Sequence, residues 1–297
     1  MRHLRTLAVM LALALPAAAA SVGAQQPDST AIVQIQTTDG NAYVGTIIAQ
    51  DSAVVLLRSD RLGEITIRRS DIVRIIAVDP AKIAQGAYWF DNPQATRYFW
   101  APDGYGLKKG EGYYQNVWVL FNQVSVGITD NFSIGAGVVP LFLFGGSSTP
   151  AWITPKLSIP IERDKINLGV GALIGSVLGE SNSDFGIAYG VTTFGSRDRN
   201  FTVGAGYGYS DGQWARAPIL TMAAMIRTGP HGYFITENYY ISTSSDDLVL
   251  LSLGGRRIIN KAGLDFGLFI PLRSGQSSFI AIPWLGLTLP FGNVPKS

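Results

Sequence analysis

The sequence contains no cysteine, which excludes disulfides, thiolate metal sites, a Cys nucleophile and a lipidated N-terminal Cys. Charge is scarce: Asp, Glu, Lys and Arg make up 15% of the chain, against about a quarter in an average soluble domain. The formal net charge of +2 is too small to imply a nucleic-acid partner. Of the two histidines, only His231 lies outside the first few residues. No metal-ligand spacing, phosphate loop or dinucleotide fingerprint is present, so no metal or cofactor is expected and no catalytic residue is assigned. Gly204-Ala-Gly206-Tyr-Gly208 is glycine-rich but sits within a strand pattern and leads into no helix. Long apolar runs are also missing. After Leu7 to Leu15 nothing approaches the roughly 20 residues of a spanning helix, so any membrane insertion must use strands.

What is present begins with an export signal over residues 1–24. Arg2, His3 and Arg5 precede the apolar run, and Val22-Gly23-Ala24 offers small residues for cleavage. Residues 31–78 then carry five short alternating runs separated by turn residues, the first turn being Asp39-Gly40-Asn41. The pieces Val33-Gln-Ile-Gln-Thr-Thr-Asp-Gly40, Tyr43-Val-Gly45-Thr-Ile47, Asp51, Val54-Val-Leu56, Gly63-Glu-Ile-Thr-Ile67 and Asp71-Ile72 together resemble the Sm-like or SH3-like small-barrel family. The resemblance implies a five-stranded small barrel and, from Sm-like relatives, ring assembly and RNA binding. Against RNA, five arginines (58, 61, 68, 69, 74) are balanced by five acids (39, 51, 60, 64, 71), and Arg74 is followed by Ile75 where the family has glycine. A periplasmic adaptor or spacer is the expected role, with a peptide, an envelope protein or further copies of itself as the partners open to it. Residues 79–94 read as a linker with clustered Tyr88, Trp89 and Phe90.

From residue 95 to 291 the pattern is that of strands with one lipid-facing side. Phe201, Val203, Ala205, Tyr207 and Tyr209 alternate with Thr202, Gly204, Gly206, Gly208 and Ser210. A bare inner face suits a small closed barrel whose aromatics meet lipid. Twelve strands are expected, at 95–102, 112–128, 132–143, 151–161, 166–178, 184–194, 200–210, 216–227, 232–243, 247–258, 263–272 and 278–290. Their turns form two alternating sets, one tight and charged, the other rich in Gly and Ser. Strand parity puts the charged set on the side of the small domain, in the periplasm, and makes Pro102 to Gly112 the longest outer loop. The barrel lacks a long loop that could fold in as a plug. Phe279, Ala281, Pro283, Leu285, Leu287, Leu289 and Phe291 share one face. This resembles the terminal strand of bacterial outer-membrane barrels, with residues 292–297 as a tail. The fold class is therefore all-β: an N-terminal five-stranded Sm/SH3-like barrel followed by an antiparallel transmembrane barrel of about 12 strands. The rival is a soluble β-sandwich or lipid-binding barrel.

Few charges are left for the lumen: Lys156 beside Thr154 and Ser158, Glu237 on a strand of ambiguous parity, and Arg256 with Asp265. If the Asn260-Lys261 turn has two residues, Arg256 faces Asp265 across the strands. These four residues are candidates for a bracing ion-pair network or for a selectivity site. The expected function is a non-enzymatic outer-membrane barrel, a narrow channel or a membrane anchor for the small domain, with membrane lipid as its surroundings. The alternatives are a lipid-active barrel enzyme using His231 and a soluble exported binder of apolar ligands.

Overall fold

The computed structural model describes residues 31–84, 87–140, 148–181, 183–242, 247–273 and 280–292. The expected export signal and the tail after Gly292 lie outside the described residues, as does most of the Gly/Ser-rich turn set. Strands β1 (Ile32–Thr37), β2 (Ala42–Gln50), β3 (Val54–Ser59), β4 (Gly63–Arg68) and β5 (Ile72–Ala77) form one antiparallel sheet in the order β4-β3-β2-β1-β5. Val33, Ile35, Val55, Leu57 and Ile67 supply its core, as strand alternation requires. The β1–β2 turn is tied by the Asp39 carboxylate, which accepts from the Thr37 hydroxyl at 2.5 Å and the Asn41 amide at 3.2 Å. These bonds hold the Asp39 carboxyl below its ordinary range. A short ribbon, β6 (Ile83–Ala84) with β7 (Ala87–Tyr88), leads away from the sheet.

The second unit is a closed wall. It comprises β8 (Glu111–Val117), β9 (Phe121–Gly127), β10 (Phe132–Val138), β11 (Thr149–Ile153) with β12 (Lys156–Glu162), β13 (Ile166–Leu178), β14 (Asp184–Gly195), β15 (Arg199–Ser210), β16 (Gln213–Trp214) with β17 (Ile219–Gly229), β18 (Gly232–Ser242), β19 (Asp247–Ile259), β20 (Ala262–Arg273) and β21 (Ile282–Gly292). β11 and β12 are one strand interrupted at Thr154-Pro155, and β16 and β17 are one strand interrupted at 215–218, so the wall has twelve antiparallel strands. It closes where β21 pairs with β8, Thr288 opposite Gln115, so the ring has no open edge there.

The strand count matches the expectation, but its first two members differ. Residues 95–102 are not in the wall, and the expected strand 112–128 is two strands, β8 and β9, around a turn at Trp118-Val119-Leu120. Trp118 and Val119 take φ of +52° and +65°, a region unfavourable for a bulky or β-branched residue. Two asparagines hold them there. Asn116 Oδ1 accepts from the Val119 amide at 3.2 Å, Asn122 Nδ2 donates to the Leu120 carbonyl at 3.0 Å, and the asparagines join each other at 2.8 Å.

All the charged tight turns lie at one end of the wall, together with Glu111 and Gly292. This near end is also where the small sheet sits, with the Arg74 guanidinium donating to the Asn260 side chain. The outer surface is apolar along the strands. Val170, Ile174, Phe201, Tyr207, Met222, Leu253, Phe266 and Leu285 are all exposed. Thr202, in the strand that shows the pattern best, is fully buried on the inside, where it meets the residues that fill the lumen.

Candidate functional site inside the barrel

The lumen is occupied by the chain's own residues 92–108. The segment enters from the near end, reverses at Tyr98–Ala101, and returns to the near rim before β8 begins. An isolated bridge between Arg97 and Pro102 marks the hairpin-like reversal, closed by the Tyr98 amide donating to the Ala101 carbonyl at 3.0 Å. On the way back, the Lys109 amide donates to Asp130 Oδ1 at 3.1 Å and the Gly110 amide to the Gly127 carbonyl at 3.0 Å. Lys108 and Lys109 therefore lie beside a near-end turn. The expectation of a long outer loop at Pro102–Gly112 is corrected, and so is that of a barrel without a plug: the plugging segment precedes the first strand.

Glycines in the wall make room for it. A Cβ on Gly127 would collide with the Lys108 carbonyl, one on Gly263 would come within 2.8 Å of Pro93, and one on Gly267 would touch the Phe99 ring at 3.2 Å. Within the segment, a Cβ on Gly104 would collide with the Asn167 carbonyl. Close packing of this kind leaves no slack for even one added carbon.

Arg256 and Asp265 face each other across β19 and β20, as the two-residue turn requires. Arg256 Nε donates to Asp265 Oδ1 at 2.6 Å and Nη2 to Oδ2 at 2.9 Å. The rest of the guanidinium is spent on the segment. Nη1 donates to Asn92 Oδ1 and to the Gln94 carbonyl, both at 2.8 Å, and Nη2 to Gln94 Oε1 at 2.9 Å and the Tyr98 carbonyl at 2.8 Å. Thr288 also donates to Gln94 Oε1 at 3.0 Å. The planar fork of Arg thus ties wall to plug in a way a lysine could not copy.

Glu237 points inward and is fully buried, but it does not join Arg256 and Asp265. Its Oε2 accepts three successive backbone amides, Phe99 at 2.8 Å, Trp100 at 2.9 Å and Ala101 at 3.0 Å. Its Oε1 accepts the Tyr239 hydroxyl at 2.6 Å. The segment's reversal is therefore clamped on one carboxylate by charge-assisted hydrogen bonds. Lys156, buried opposite, donates to the carbonyls of Thr96 at 3.0 Å and Tyr105 at 2.5 Å, with Asp103 Oδ1 at 3.6 Å. Lys156, Glu237 and Arg256 all bind the same segment; Asp265 reaches it through Arg256.

Tyr98 and Tyr105 are also functional residues of this site that composition did not single out. The Tyr98 hydroxyl donates to Asn200 Oδ1 and lies 2.6 Å from Thr202 Oγ1, while Tyr105 donates to the Gly195 carbonyl at 2.5 Å. The run Tyr98-Phe99-Trp100 is the trace of the first in the sequence, and Tyr105 stands outside it. His231 sits in the near-end turn between β17 and β18, its ring 4.9 Å from that of Phe90. Burial, then the charges of Arg257 and Arg227, lower its pKa.

No protein-family model and no curated protein matches the chain. Among solved structures, a KdgM porin in complex with disordered oligogalacturonate aligns over 61% of this chain and 98% of its own, at 10% identity and a TM-score of 0.44. OpdQ of Pseudomonas aeruginosa aligns over 87% of this chain and 74% of its own, at 11% identity and a TM-score of 0.37. At that overlap neither neighbour carries an argument about this chain, and the barrel rests on its own strand register.

Proposed function

We propose that this chain is a non-enzymatic outer-membrane barrel, exported by its N-terminal signal, that anchors a small periplasmic domain and is held shut by its own residues 92–108. The observation that carries the reading is the Glu237 clamp: three amides at the segment's reversal share one buried carboxylate oxygen. The exposed apolar face supports the membrane location, because such a continuous band would be an aggregation surface in water and is at home in lipid. On this reading the near end, with the small sheet and both chain ends of the wall, faces the periplasm. The five-stranded sheet, similar to Sm- and SH3-like domains in strand count and turn placement, is offered there to an envelope protein.

A channel is the second reading, favoured by the cavity that begins directly beyond the Trp100 tip. The segment floors that cavity on its near-end side through Arg97, Trp100, Ala101 and Pro102, so on this reading conduction requires its release. Planar-bilayer recording tests both readings. The intact chain is expected to be nearly silent, and a chain with residues 96–103 replaced by a Gly/Ser linker is expected to conduct. Steady ohmic conductance by the intact protein would overturn the closed state. Fractionation into the soluble periplasm would overturn the membrane anchor.

A further inference from the structure

Beyond the plug tip the lumen changes character. A cavity of about 280 Å³ lies there, floored by Trp100 and Arg97 of the segment. Its walls are Leu173, Ile187, Ile219, Ile241 and Leu250, with Gln123, Tyr189 and Tyr239 near the floor. Ile219 opens β17 and Ile241 is next to last in β18, so the cavity runs from the tip to the last rows of the far end. Its size is close to the lower end of small-molecule pockets, about 300 Å³, and its lining has the same make-up, mostly apolar with a few convergent polar groups.

Arg97 decides what chemistry fits. Arg256 is paired with Asp265 and Lys156 with Asp103, while Glu237 has its carboxylate taken up by amides and a hydroxyl. Arg97 has no carboxylate among the described residues. Its Nη1 makes one long hydrogen bond, 3.3 Å to Gln115 Oε1, its guanidinium carbon lies 5.9 Å from the centroid of the Tyr113 ring, and its Nε has no acceptor in the protein. A guanidinium needs anionic or carbonyl acceptors when water is excluded, and a planar carboxylate matches its fork. Above it stands a narrow aliphatic shaft.

We propose that this cavity binds an apolar carboxylate of medium chain length, its head on Arg97 and its hydrocarbon against Leu173, Ile187, Ile241 and Leu250. The site goes beyond the anchoring role and does not require the plug to move, since Arg97 belongs to the plug itself. The bound carboxylate gives the Arg97 guanidinium the ionic partner that no side chain supplies to it among the described residues, and the chain covers apolar wall that would otherwise face solvent.

The test is calorimetric titration of the full-length protein in phosphatidylcholine nanodiscs at pH 8, with sodium decanoate and 1-decanol as probes and empty nanodiscs as the reference. Decanoate is expected to saturate one site per barrel, with decanol at least tenfold weaker. Arg97→Gln is expected to bring decanoate down to the level of decanol and to leave decanol unchanged. Leu250→Trp, which fills the shaft, is expected to abolish both. Heat-modifiable gel migration reports whether each variant is folded, and the comparison of two probes on the unaltered protein needs no variant. Decanoate uptake no greater than that of empty nanodiscs would overturn the proposal. Equal binding of decanol and decanoate would overturn it too, leaving a bare acyl chain of membrane lipid as the occupant.

Discussion

Arg256 and Asp265 form a two-pronged ion pair across β19 and β20, Nε to Oδ1 at 2.6 Å and Nη2 to Oδ2 at 2.9 Å, with no exposure of the arginine side chain to solvent. The pair is also a hinge point for the plug, since the same guanidinium holds Asn92, Gln94 and Tyr98. Removing one partner strands the other: Arg256→Met leaves Asp265 buried without a counter-charge, at a cost of about 3–5 kcal/mol. Urea unfolding in lipid vesicles should show that loss as a lowered midpoint. The double change Arg256→Met with Asp265→Leu should recover only the part due to the stranded carboxylate, because the acceptors on Asn92, Gln94 and Tyr98 still lose their donor. An unfolding midpoint unchanged in the single variant would mean the pair braces nothing.

Glu237 controls the tip. Glu237→Gln keeps an oxygen for the three amides but removes its charge, and hydrogen bonds to charged groups exceed neutral ones by about 1 kcal/mol each. Brief openings in planar bilayers are expected to rise about tenfold or more. Glu237→Leu leaves all three amides and the Tyr239 hydroxyl without their acceptor, and should open the barrel far more often than Glu237→Gln. If both variants stay as silent as the unaltered chain, the carboxylate does not hold the segment.

Much of the wall was legible because lipid outside and close packing inside force strict alternation, which a strand such as Phe201–Ser210 displays residue by residue. Register was legible where a turn was short: the Asn260-Lys261 turn fixed Arg256 opposite Asp265. Two features broke the reading. The β8–β9 turn contains no Gly, Asn, Asp or Pro at its tip, because its positive φ values are enforced by Asn116 and Asn122 from the strands on either side. Residues 95–102 carry the aromatic run Tyr98-Phe99-Trp100 and read as part of the wall, but the segment spends its backbone on side chains, Glu237 and Lys156 above all, and not on a neighbouring strand. Counting it as a strand and missing the short hairpin were errors of opposite sign, so the total of twelve survived. The inner residues were identified by type, but their common partner was hidden because the sequence pattern divides its residues among the linker, the first wall strand and an outer loop.

Gly104 offers a way to expel the plug without touching a charge. A Cβ there collides with the Asn167 carbonyl on β13, whose backbone is fixed in the closed ladder, so the segment has to give way. The chain has no cysteine, so Ala101→Cys is a clean reporter at the tip, where Ala101 is 3% exposed. Maleimide labelling of that thiol should be slow in the otherwise unaltered chain and at least tenfold faster when Gly104→Val is added. Equal rates would show that the tip is already open to solvent or that position 104 does not hold it in place.

His231 provides a pH test at the near end. Burial against Phe90, then the positive charges of Arg257 and Arg227, disfavour the imidazolium, so the folded pKa lies below the ordinary value of about 6.5. As pH falls through the unfolded value, the unfolded chain takes up a proton that the folded chain still refuses. This residue's contribution to stability is therefore complete above about pH 6.5 and declines from there down to the folded pKa. Imidazole NMR shifts should titrate below 6.5, and His231→Phe should remove that part of the acid sensitivity while keeping the ring contact with Phe90. The same variant tests the enzymatic alternative. Lipid hydrolysis by the purified chain that disappears in His231→Phe would show this turn histidine to be catalytic; a variant indistinguishable from the parent in lipid assays leaves it as packing at the barrel rim.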